Sequence, residues 1–238
     1  MNFFQNCYQG LLDLFLQSQC PLCQRPTSTD FCPYCQKQLQ RCQITQPEKF
    51  WGKDFPLFPW GTYSGSLKKA LWALKYEKQP KIAQPLGFWL GETWLKSRLK
   101  SGKNLLVVPI PLHPNKLRSR GFNQAELLAE SFCQVTNLHL AKDALERRSE
   151  TEALHSKLST ERRETLRGAF QIGKSFRQRH PKAEVLLLDD IYTTGATALE
   201  AADTLRKFDI KVCGIVAIAT SEIRVTDARL NFPAIPSK

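Results

Sequence analysis

The feature that most constrains the fold is an apolar run that ends in two acidic residues and a threonine–glycine loop. Residues 185–188 read Val-Leu-Leu-Leu, and Asp189 and Asp190 follow directly. An uninterrupted apolar run of this length is typical of a central strand in a parallel sheet. A helical pattern follows the loop, over Thr197–Phe208. The segment therefore predicts a strand, a loop and a helix, and α/β proteins bind ligands at the carboxyl ends of such strands.

The loop between this strand and this helix has the composition of an anion-binding turn. Gly195 permits a tight turn and a close approach of a phosphate, and the N–H groups that open the helix favour an anion. Because Asp189 and Asp190 would repel a phosphate, we expect them to accept hydrogen bonds from ribose hydroxyls. The hydroxyls of Thr193, Thr194 and Thr197 can add hydrogen bonds to such an anion. The alternative is an ordinary strand–turn–helix in which a threonine caps the helix.

The chain beyond residue 46 alternates between strand and helix patterns. Further strands are predicted at Phe58–Tyr63, Leu105–Pro109 and Val212–Ala219, and further helices at Ser66–Tyr76, Gln84–Leu99 and Asn123–Val135. Such alternation predicts an α/β fold, a mostly parallel sheet flanked by helices. With 238 residues, 42% of them hydrophobic, the chain can bury one sizeable core. We assign residues 47–238 to this domain and residues 1–46 to a small N-terminal module.

The N-terminal module is defined by cysteines, since six of the eight lie before residue 43. Cys20 and Cys23 form one C-x-x-C pair, Cys32 and Cys35 form a second, and eight residues separate the pairs. Two such pairs supply a tetrahedral set of thiolates, which predicts a structural zinc site with no open position. Disulfides or a redox pair are the alternatives, but a disulfide framework requires an oxidising compartment and we find no secretory signal. Cys42 is a weaker, spare candidate.

A basic segment rich in proline precedes the predicted helix at Asn123. The strand ending at Pro109 leads into a stiff turn and then into Lys116, Arg118 and Arg120. Arginine suits bidentate contact with phosphate oxygens, so this loop is expected to face a pyrophosphate. The residues assigned to the pyrophosphate side are Lys116, Arg118, Arg120 and Gln124. A solvated basic loop is the alternative, and Asn123 is expected to cap the helix.

Two of these motifs resemble known families. The segment Val185–Thr197 is similar to the signature of type I phosphoribosyltransferases, which bind phosphoribosyl pyrophosphate (PRPP). The run Arg-Gly-Phe-Asn-Gln at residues 120–124, after a Val-Pro-x-Pro turn, resembles the ComF family, as do the cysteine module and the segment Leu158–Phe170. Two positions depart from that family's usual pattern, His155 in place of Gln and Thr165 in place of Asn.

The resemblance implies a type I phosphoribosyltransferase-like fold and a specific ligand. It implies that Asp189 and Asp190 contact the ribose 2′ and 3′ hydroxyls and that Mg²⁺ accompanies the pyrophosphate. It also implies that the 5′-phosphate is cradled by the loop residues Tyr192, Thr193, Thr194, Gly195, Ala196 and Thr197. It also implies a link to natural competence, in which single-stranded DNA is taken up, and hence to DNA and other competence proteins as partners.

Two functions fit the sequence. The first is a phosphoribosyltransferase, although no residue stands out as a general base and the acceptor is undefined. The second is a non-catalytic module that handles single-stranded DNA and keeps PRPP as a ligand. The net charge of +12 attracts polyanions in either case. Tyr34 and Trp51 are candidates for stacking on bases, unless they pack around the zinc module.

The remaining expectations concern location and the ends of the chain. No apolar run approaches the ~20 residues that span a bilayer, and a cytoplasmic protein is expected. Residues Met1–Gln19 favour a helix packed on the body of the protein, and Arg224–Lys238 is expected to be loosely ordered. The cysteines expected to act as core thiols are Cys7, Cys133 and Cys213.

Overall fold

A computed structural model describes residues 18–52, 55–97, 99, 105–148, 168–174, 176 and 184–221. In chain order the elements are β1 (Ser18–Gln19), β2 (Pro26–Thr27), α1 (Pro33–Gln40), β3 (Leu57–Thr62), α2 (Gly65–Tyr76), α3 (Ala83–Lys96), β4 (Leu105–Pro109), α4 (Pro114–Arg120), α5 (Gln124–Thr136), β5 (His139–Leu140), β6 (Leu145–Arg147), β7 (Phe170–Ile172), β8 (Glu184–Tyr192), α6 (Ala196–Arg206) and β9 (Lys211–Thr220). Two 3₁₀ turns, Pro47–Phe50 and Pro80–Ile82, precede β3 and α3.

The centre of the molecule is a five-stranded sheet in the order β3-β9-β8-β4-β5, and all of its strand pairs are parallel. The apolar strands β4 and β8 are buried on both faces, as parallel strands covered by helices must be. This confirms the fold class predicted from the sequence, a mostly parallel sheet flanked by helices.

Side chains alternate between the two faces of the sheet and so feed two separate cores. Leu186 and Leu188 of β8 pack with α2, α3 and α5 on one face. Val185 and Leu187 of the same strand pack with α6 and with the antiparallel pair β6–β7 on the other. The layer on which a residue of β8 lies is thus set by whether its number is even or odd in this stretch.

The connections from two neighbouring strands diverge at the centre of the sheet. From β4 the chain continues through α5 to β5, whereas from β8 it continues through α6 to β9, on the opposite side. Since the two crossovers leave in opposite directions, a crevice forms outside the carboxyl ends of β4 and β8. This is the place where open α/β sheets bind their ligands.

The cysteine-rich segment packs on the face that carries α3. Its ring Phe31 lies against Trp89 of α3, with centroids 5.8 Å apart, and Trp89 in turn stacks on Trp60 of β3 at 5.6 Å. Backbone bonds tie the end of the segment to β3: Ile44 N–H donates to the Trp60 carbonyl, and Thr62 N–H donates to that of Cys42. The segment therefore shares one continuous core with the sheet.

Two predicted elements differ from the structure. The strand expected at Val185–Leu188 continues to Tyr192, because β9 extends its ladder to the pair Tyr192–Thr220. The segment expected as a basic loop forms the short helix α4, which starts at Pro114 and ends at Arg120. Gly121 follows it with a left-handed φ of 89°. The sequence predicted a loop here because the segment is rich in proline. Pro114, however, occupies the first position of the helix, where proline is tolerated.

Several expectations fall on residues outside the described part of the chain. They concern most of the N-terminal helix, Cys7, His155, Thr165 and Arg224–Lys238. Within the described ranges, no helix has the length and apolar character needed to cross a membrane.

Candidate functional site

The acidic pair lies on an extension of β8 past the end of β4. The ladder between these strands ends at Pro109 and Leu188, while β8 stays paired with β9 up to Tyr192. Asp189 and Asp190 therefore follow the last residue that β4 pairs with, at the edge of the crevice. The sequence placed them at the carboxyl end of the strand, and the structure keeps them within the strand itself.

Asp190 is buried, with 3% of its surface exposed, and two side chains contact its two oxygens. Lys75 of α2 forms an ion pair with Oδ2, and Gln124 of α5 donates from Nε2 to Oδ1 at 3.3 Å. Burial alone would raise the pKa of Asp190, but the charge of Lys75 and the hydrogen bonds from Lys75 and Gln124 outweigh it, so its pKa lies below the ordinary value. Asp190 is thus an ionised carboxylate held inside the protein.

Asp189 is half-buried and has different partners. Its Oδ1 accepts the backbone N–H of Asp190 at 2.8 Å. Burial, and next the negative charge of Asp190, raise the pKa of Asp189 well above its ordinary value. Arg147 of β6 is close enough to Asp189 for their charges to interact. Burial lowers the pKa of the Arg147 guanidinium, and the charge of Asp189 opposes that effect. The pKa values of these two neighbouring carboxyls are therefore shifted in opposite directions, because their surroundings differ.

The loop after the pair opens helix α6 at a glycine. Gly195 has a φ of 72°, in the left-handed region, and supplies no side-chain cap to the helix. A Cβ at this position would collide with the Tyr192 ring, so both the backbone conformation and the space require glycine. Thr193 and Thr194 are exposed. The start of α6 thus combines two exposed threonines with backbone N–H groups that have no partner within the helix, and this combination favours an anion.

The three basic residues of α4 have separate surroundings. Arg120 donates to Gln124 Oε1, and its guanidinium lies 5.8 Å from the centroid of the Tyr76 ring. Arg118 is exposed and donates to Asn115 on its own helix, and Lys116 is half-buried. Through Gln124, Arg120 is connected to Asp190. The structure therefore brings Arg120 and Gln124 to the acidic pair, while the contact of Arg118 stays local.

Asn123 holds the start of α5 in place. Its Oδ1 accepts the backbone N–H of Ala125 at 3.1 Å, which confirms the capping role expected from the sequence. Its Nδ2 donates to the carbonyl of Ile110 at 3.1 Å, just beyond β4. This second bond fixes the helix that carries Gln124 to the strand end at the crevice.

The four cysteines of the two C-x-x-C pairs converge on one point. Their Sγ atoms all lie within 4.8 Å of one another, and Cys23 and Cys32 are 3.5 Å apart. A tetrahedral zinc site with Zn–S bonds of ~2.3 Å sets sulfurs roughly 3.8 Å apart, so the cluster has the size that the ion requires. Cys20 and Cys23 lie on the turn between β1 and β2, and Cys32 caps α1 by accepting the N–H of Cys35.

Two thiols of this cluster, Cys23 and Cys35, have pKa values that are shifted in opposite directions. A hydrogen bond from the backbone of Arg25 lowers the pKa of Cys23 to about 6, whereas burial raises that of Cys35. Four adjacent thiolates are compatible only with a cation among them, so the donor set fits a divalent metal. Cys42 lies apart, with its Sγ near the carbonyls of Gln38 and Ser64, and does not join the cluster.

Other sequence candidates are placed as follows. Tyr34 is 57% exposed, with the Arg25 guanidinium 4.9 Å from its ring. Trp51 is half-buried and packs edge-on against Trp94 at 5.5 Å, which favours the packing alternative. Cys133 and Cys213 are half-buried at the edge of the core.

Three features of the site were missed in the sequence. Lys75 and Arg147 carry no local signal, because each meets its acidic partner through tertiary structure. The exposed rings of Trp72 and Tyr76 did carry one: they stand four residues apart, on the side of α2 opposite its buried leucines, and pack at a tilt of 42° with centroids 4.3 Å apart.

Curated relatives align with most of the chain. Competence protein F of Haemophilus influenzae is 26% identical over 239 residues, covering 92% of this chain and 99% of the relative. DNA utilization protein YhgH of Escherichia coli K12 is 28% identical, covering 78% and 83%. Competence protein ComFC of Streptococcus pneumoniae R6 is 30% identical over 190 residues, covering 78% of each chain. No family model matches the chain.

Solved phosphoribosyltransferases overlap with the fold only loosely. Adenine phosphoribosyltransferase of Leishmania tarentolae covers 62% of both chains at 14% identity and a TM-score of 0.34. Hypoxanthine phosphoribosyltransferase of Staphylococcus aureus covers 63% of this chain and 70% of its own at 19% identity and a TM-score of 0.33. Scores this low add no argument, and the assignment follows from the relatives. Since ComFC at 30% identity matches over more than two thirds of both chains, this chain belongs to the ComF family of competence proteins.

Proposed function

We propose that this protein binds PRPP together with Mg²⁺ in the crevice outside β4 and β8. The observation that carries the proposal is the arrangement of β8: an acidic pair at the crevice edge, followed at once by the glycine-initiated N-terminus of α6. Hydroxyl-binding carboxylates and a phosphate-binding helix start are the two contacts that a ribose 5-phosphate needs. Arg120 on the neighbouring helix supplies the charge for the pyrophosphate end.

The residues that we propose to bind PRPP are those predicted from the sequence. Asp189 and Asp190 bind the ribose, and Lys116, Arg118, Arg120 and Gln124 line the pyrophosphate side. The 5′-phosphate loop consists of Tyr192, Thr193, Thr194, Gly195, Ala196 and Thr197. Among the basic residues we weight Arg120 most, because Gln124 connects it to Asp190.

Mg²⁺ fits the oxygen donors of this site. Both oxygens of Asp190 are engaged by Lys75 and Gln124, which leaves the half-buried Asp189 as the carboxylate best able to meet a cation. Mg²⁺ usually takes one or two carboxylates plus substrate phosphates and keeps several waters. When bound, it would screen the charge of the pyrophosphate.

The chemistry that follows from such a complex is phosphoribosyl transfer. Loss of pyrophosphate from C1 develops positive charge on the ribose and negative charge on the leaving group. We assign the stabilisation of the positive charge to Asp189 and Asp190, and that of the negative charge on the leaving group to Arg120. The protein would act by positioning and charge stabilisation. Pyrophosphate release from PRPP, measured across a panel of amines and bases, decides between transfer and recognition alone.

Calorimetry with PRPP and Mg²⁺ tests the binding site. The variants are the double substitution Asp189→Ala with Asp190→Ala, and the single isosteric change Asp189→Asn, which leaves the Lys75–Asp190 pair intact. Asp203→Asn serves as the control, because this carboxylate lies on α6 with its side chain 48% exposed and paired with Arg206. We expect the parent and the control to bind and the other two to lose affinity. Equal binding by the double variant, or no binding by the parent, contradicts the proposal.

The cysteine cluster is proposed to hold one structural zinc ion through Cys20, Cys23, Cys32 and Cys35. Thiolate sites persist where thiols stay reduced, which agrees with the expected cytoplasmic location. We keep residues 1–46 as the zinc module and residues 47–238 as the phosphoribosyltransferase-like domain.

A second candidate function is contact with single-stranded DNA, for which α2 offers a specific surface. Trp72 and Tyr76 are 55% and 52% exposed and their tilted rings pack against each other, and Lys68 lies one turn earlier on the same face. Trp72 also borders a groove lined by Pro21 and Leu22 of the zinc module. Basic residues interleaved with exposed rings are the features that bind single strands. Relatives named for competence and DNA utilization make DNA and other competence proteins the natural partners.

Fluorescence anisotropy with a labelled oligothymidine tests this surface. The double substitution Trp72→Ala with Tyr76→Ala should weaken binding at least tenfold, since stacking contributes ~1–3 kcal/mol per base. Phe88→Ala, which removes another exposed ring on α3, should bind like the parent. Binding by the parent should fall steeply with salt. Unchanged affinity of the double variant excludes α2 as the DNA surface.

A further inference from the structure

We propose that Lys75 is a positioning residue of the ribose site: it fixes the carboxylate of Asp190 and cancels its charge, so that a polyanionic sugar phosphate can lie against the acidic pair. The inference rests on the proposed function, because it describes how that site accepts PRPP. It assigns a role to a residue of α2 that belongs to neither the phosphate loop nor the basic helix.

The contacts around Asp190 indicate that Lys75 holds and neutralises this carboxylate. The Lys75 side chain is 18% exposed and that of Asp190 is 4% exposed, so both charges lie largely outside water. The ammonium meets Oδ2 and the Gln124 amide meets Oδ1. A buried carboxylate that loses such a partner is strongly disfavoured. The ion pair therefore holds the carboxylate in one orientation at the crevice.

The charge of the ligand explains why this neutralisation matters. PRPP carries a phosphate and a pyrophosphate, and two adjacent carboxylates would repel both. With Lys75 paired to Asp190, one of the two negative charges is cancelled within hydrogen-bonding distance of its source. The acidic pair thus presents hydroxyl acceptors at a reduced electrostatic cost.

The sign of the effect follows from the nature of the ribose. A ribose hydroxyl is neutral, so it cannot replace a cation on a buried carboxylate without leaving that charge uncompensated. Lys75 is therefore retained in the complex and does not compete with the ligand. Removing it should weaken binding, whereas a competitor would strengthen binding on removal.

Lys75 also begins a chain of contacts across the crevice. From Asp190 the chain passes to Gln124 and then to Arg120, so it joins α2, β8, α5 and α4. The position of the Asp190 carboxylate, which is proposed to bind the ribose, is thereby linked to Arg120, which is proposed to bind the pyrophosphate.

The test compares matched lysine substitutions by calorimetry with PRPP and Mg²⁺. Lys75→Met should weaken binding about tenfold or more, which equals the loss of ~1.4 kcal/mol. Lys75→Arg should regain part of that loss, because it restores the cation. Lys69→Met removes an exposed cation from the same helix and should stay within about twofold of the parent. Thermal unfolding accompanies each variant to confirm that it is folded.

A double-mutant cycle separates a positioning role from direct contact with the ligand. If Lys75 acts through Asp190, then Lys75→Met should cost no further affinity once Asp190→Asn is present. The double variant also carries no unpaired buried charge, so it remains a test if Lys75→Met alone folds poorly. Additive losses, unchanged binding by Lys75→Met, or tighter binding would each overturn the proposal. These outcomes differ from a parent that fails to bind PRPP, which would contradict the proposed function itself.

Discussion

Phe31 of the cysteine-rich segment lies against Trp89 of α3, with ring centroids 5.8 Å apart. Phe31 immediately precedes Cys32, so the geometry of the cysteine cluster and the packing on α3 depend on one stretch of chain. Loss of the proposed zinc ion is therefore expected to disturb the core as well as the module.

We predict one zinc ion per chain, bound by the four clustered cysteines. Cys20→Ser should lose the metal and lower the melting temperature, because structural zinc contributes to folding free energy. Cys42→Ser is the matched control and should retain the metal, since Cys42 lies apart from the cluster. Elemental analysis of freshly reduced protein gives the answer, and a metal-free parent would contradict the assignment.

Two left-handed glycines should respond differently to alanine. Gly121→Ala adds a Cβ that meets no atom within 4 Å, so it should cost only the backbone strain of about 1 kcal/mol. Gly195→Ala adds the same strain and a collision with Tyr192, and should be clearly more destabilising. Chemical denaturation measures both free energies of unfolding. Equal costs would mean that the Tyr192 ring moves aside without penalty.

Asn123 should stabilise the protein through two separable contacts. Asn123→Ala removes the cap of α5 and the bond to Ile110, and we expect a loss of at least ~1 kcal/mol. Asn123→Asp keeps an oxygen that can cap the helix but loses the amide donor, so its deficit reports the bond to β4. If the aspartate variant proved as unstable as the alanine variant, the cap would be contributing nothing.

The thiols of Cys133 and Cys213 should resist alkylation near neutral pH. Burial raises the pKa of Cys133 to about 12 and that of Cys213 to about 11. At pH 8 the thiolate fraction of Cys133 is therefore ~10⁻⁴. Because the folded state favours the neutral thiols, this contribution to stability is present below about pH 9 and declines as the pH rises through the folded pKa values.

Peptide mass spectrometry after iodoacetamide treatment checks this expectation. Both cysteines should stay unmodified in the folded protein at pH 8 and react fully in guanidinium. Rapid labelling of Cys133 in the folded state would show that α5 opens readily at that position.

The sequence predicted the elements whose patterns are local. Leu105–Pro109 was bounded correctly because five apolar residues are flanked by turn signals, and Asn123 is a local cap. The length of β8 was not predictable, since an aspartate pair normally ends a strand. Here the pair continues the ladder because β9 extends beside it and Lys75 compensates the buried charge of Asp190.

The site was predicted in its ligand-facing motifs and missed in its supporting contacts. Arg120 and Gln124 were chosen for their chemistry, but their link to Asp190 depends on how α5 packs against β8. Lys75 is far from Asp190 in the sequence, and its helix also carries Lys68 and Lys69. Nothing local therefore distinguishes it from the other lysines. The Trp72–Tyr76 pair was accessible from spacing alone, because both rings oppose the buried face formed by Leu67, Leu71 and Leu74.

Because the crossovers after β4 and β8 diverge, the existence of the crevice and its ligand specificity depend on different parts of the chain. The crevice exists because of the path of the main chain, so substitutions on its rim can change what it holds without endangering the sheet. If the crevice binds PRPP as proposed, exchanging residues on α4, α5 and the α6 loop should be enough to change which phosphorylated sugar it binds. For the same reason, the crevice can be retained in evolution while the residues around it change. Affinity for a ligand and turnover of that ligand can then be selected independently.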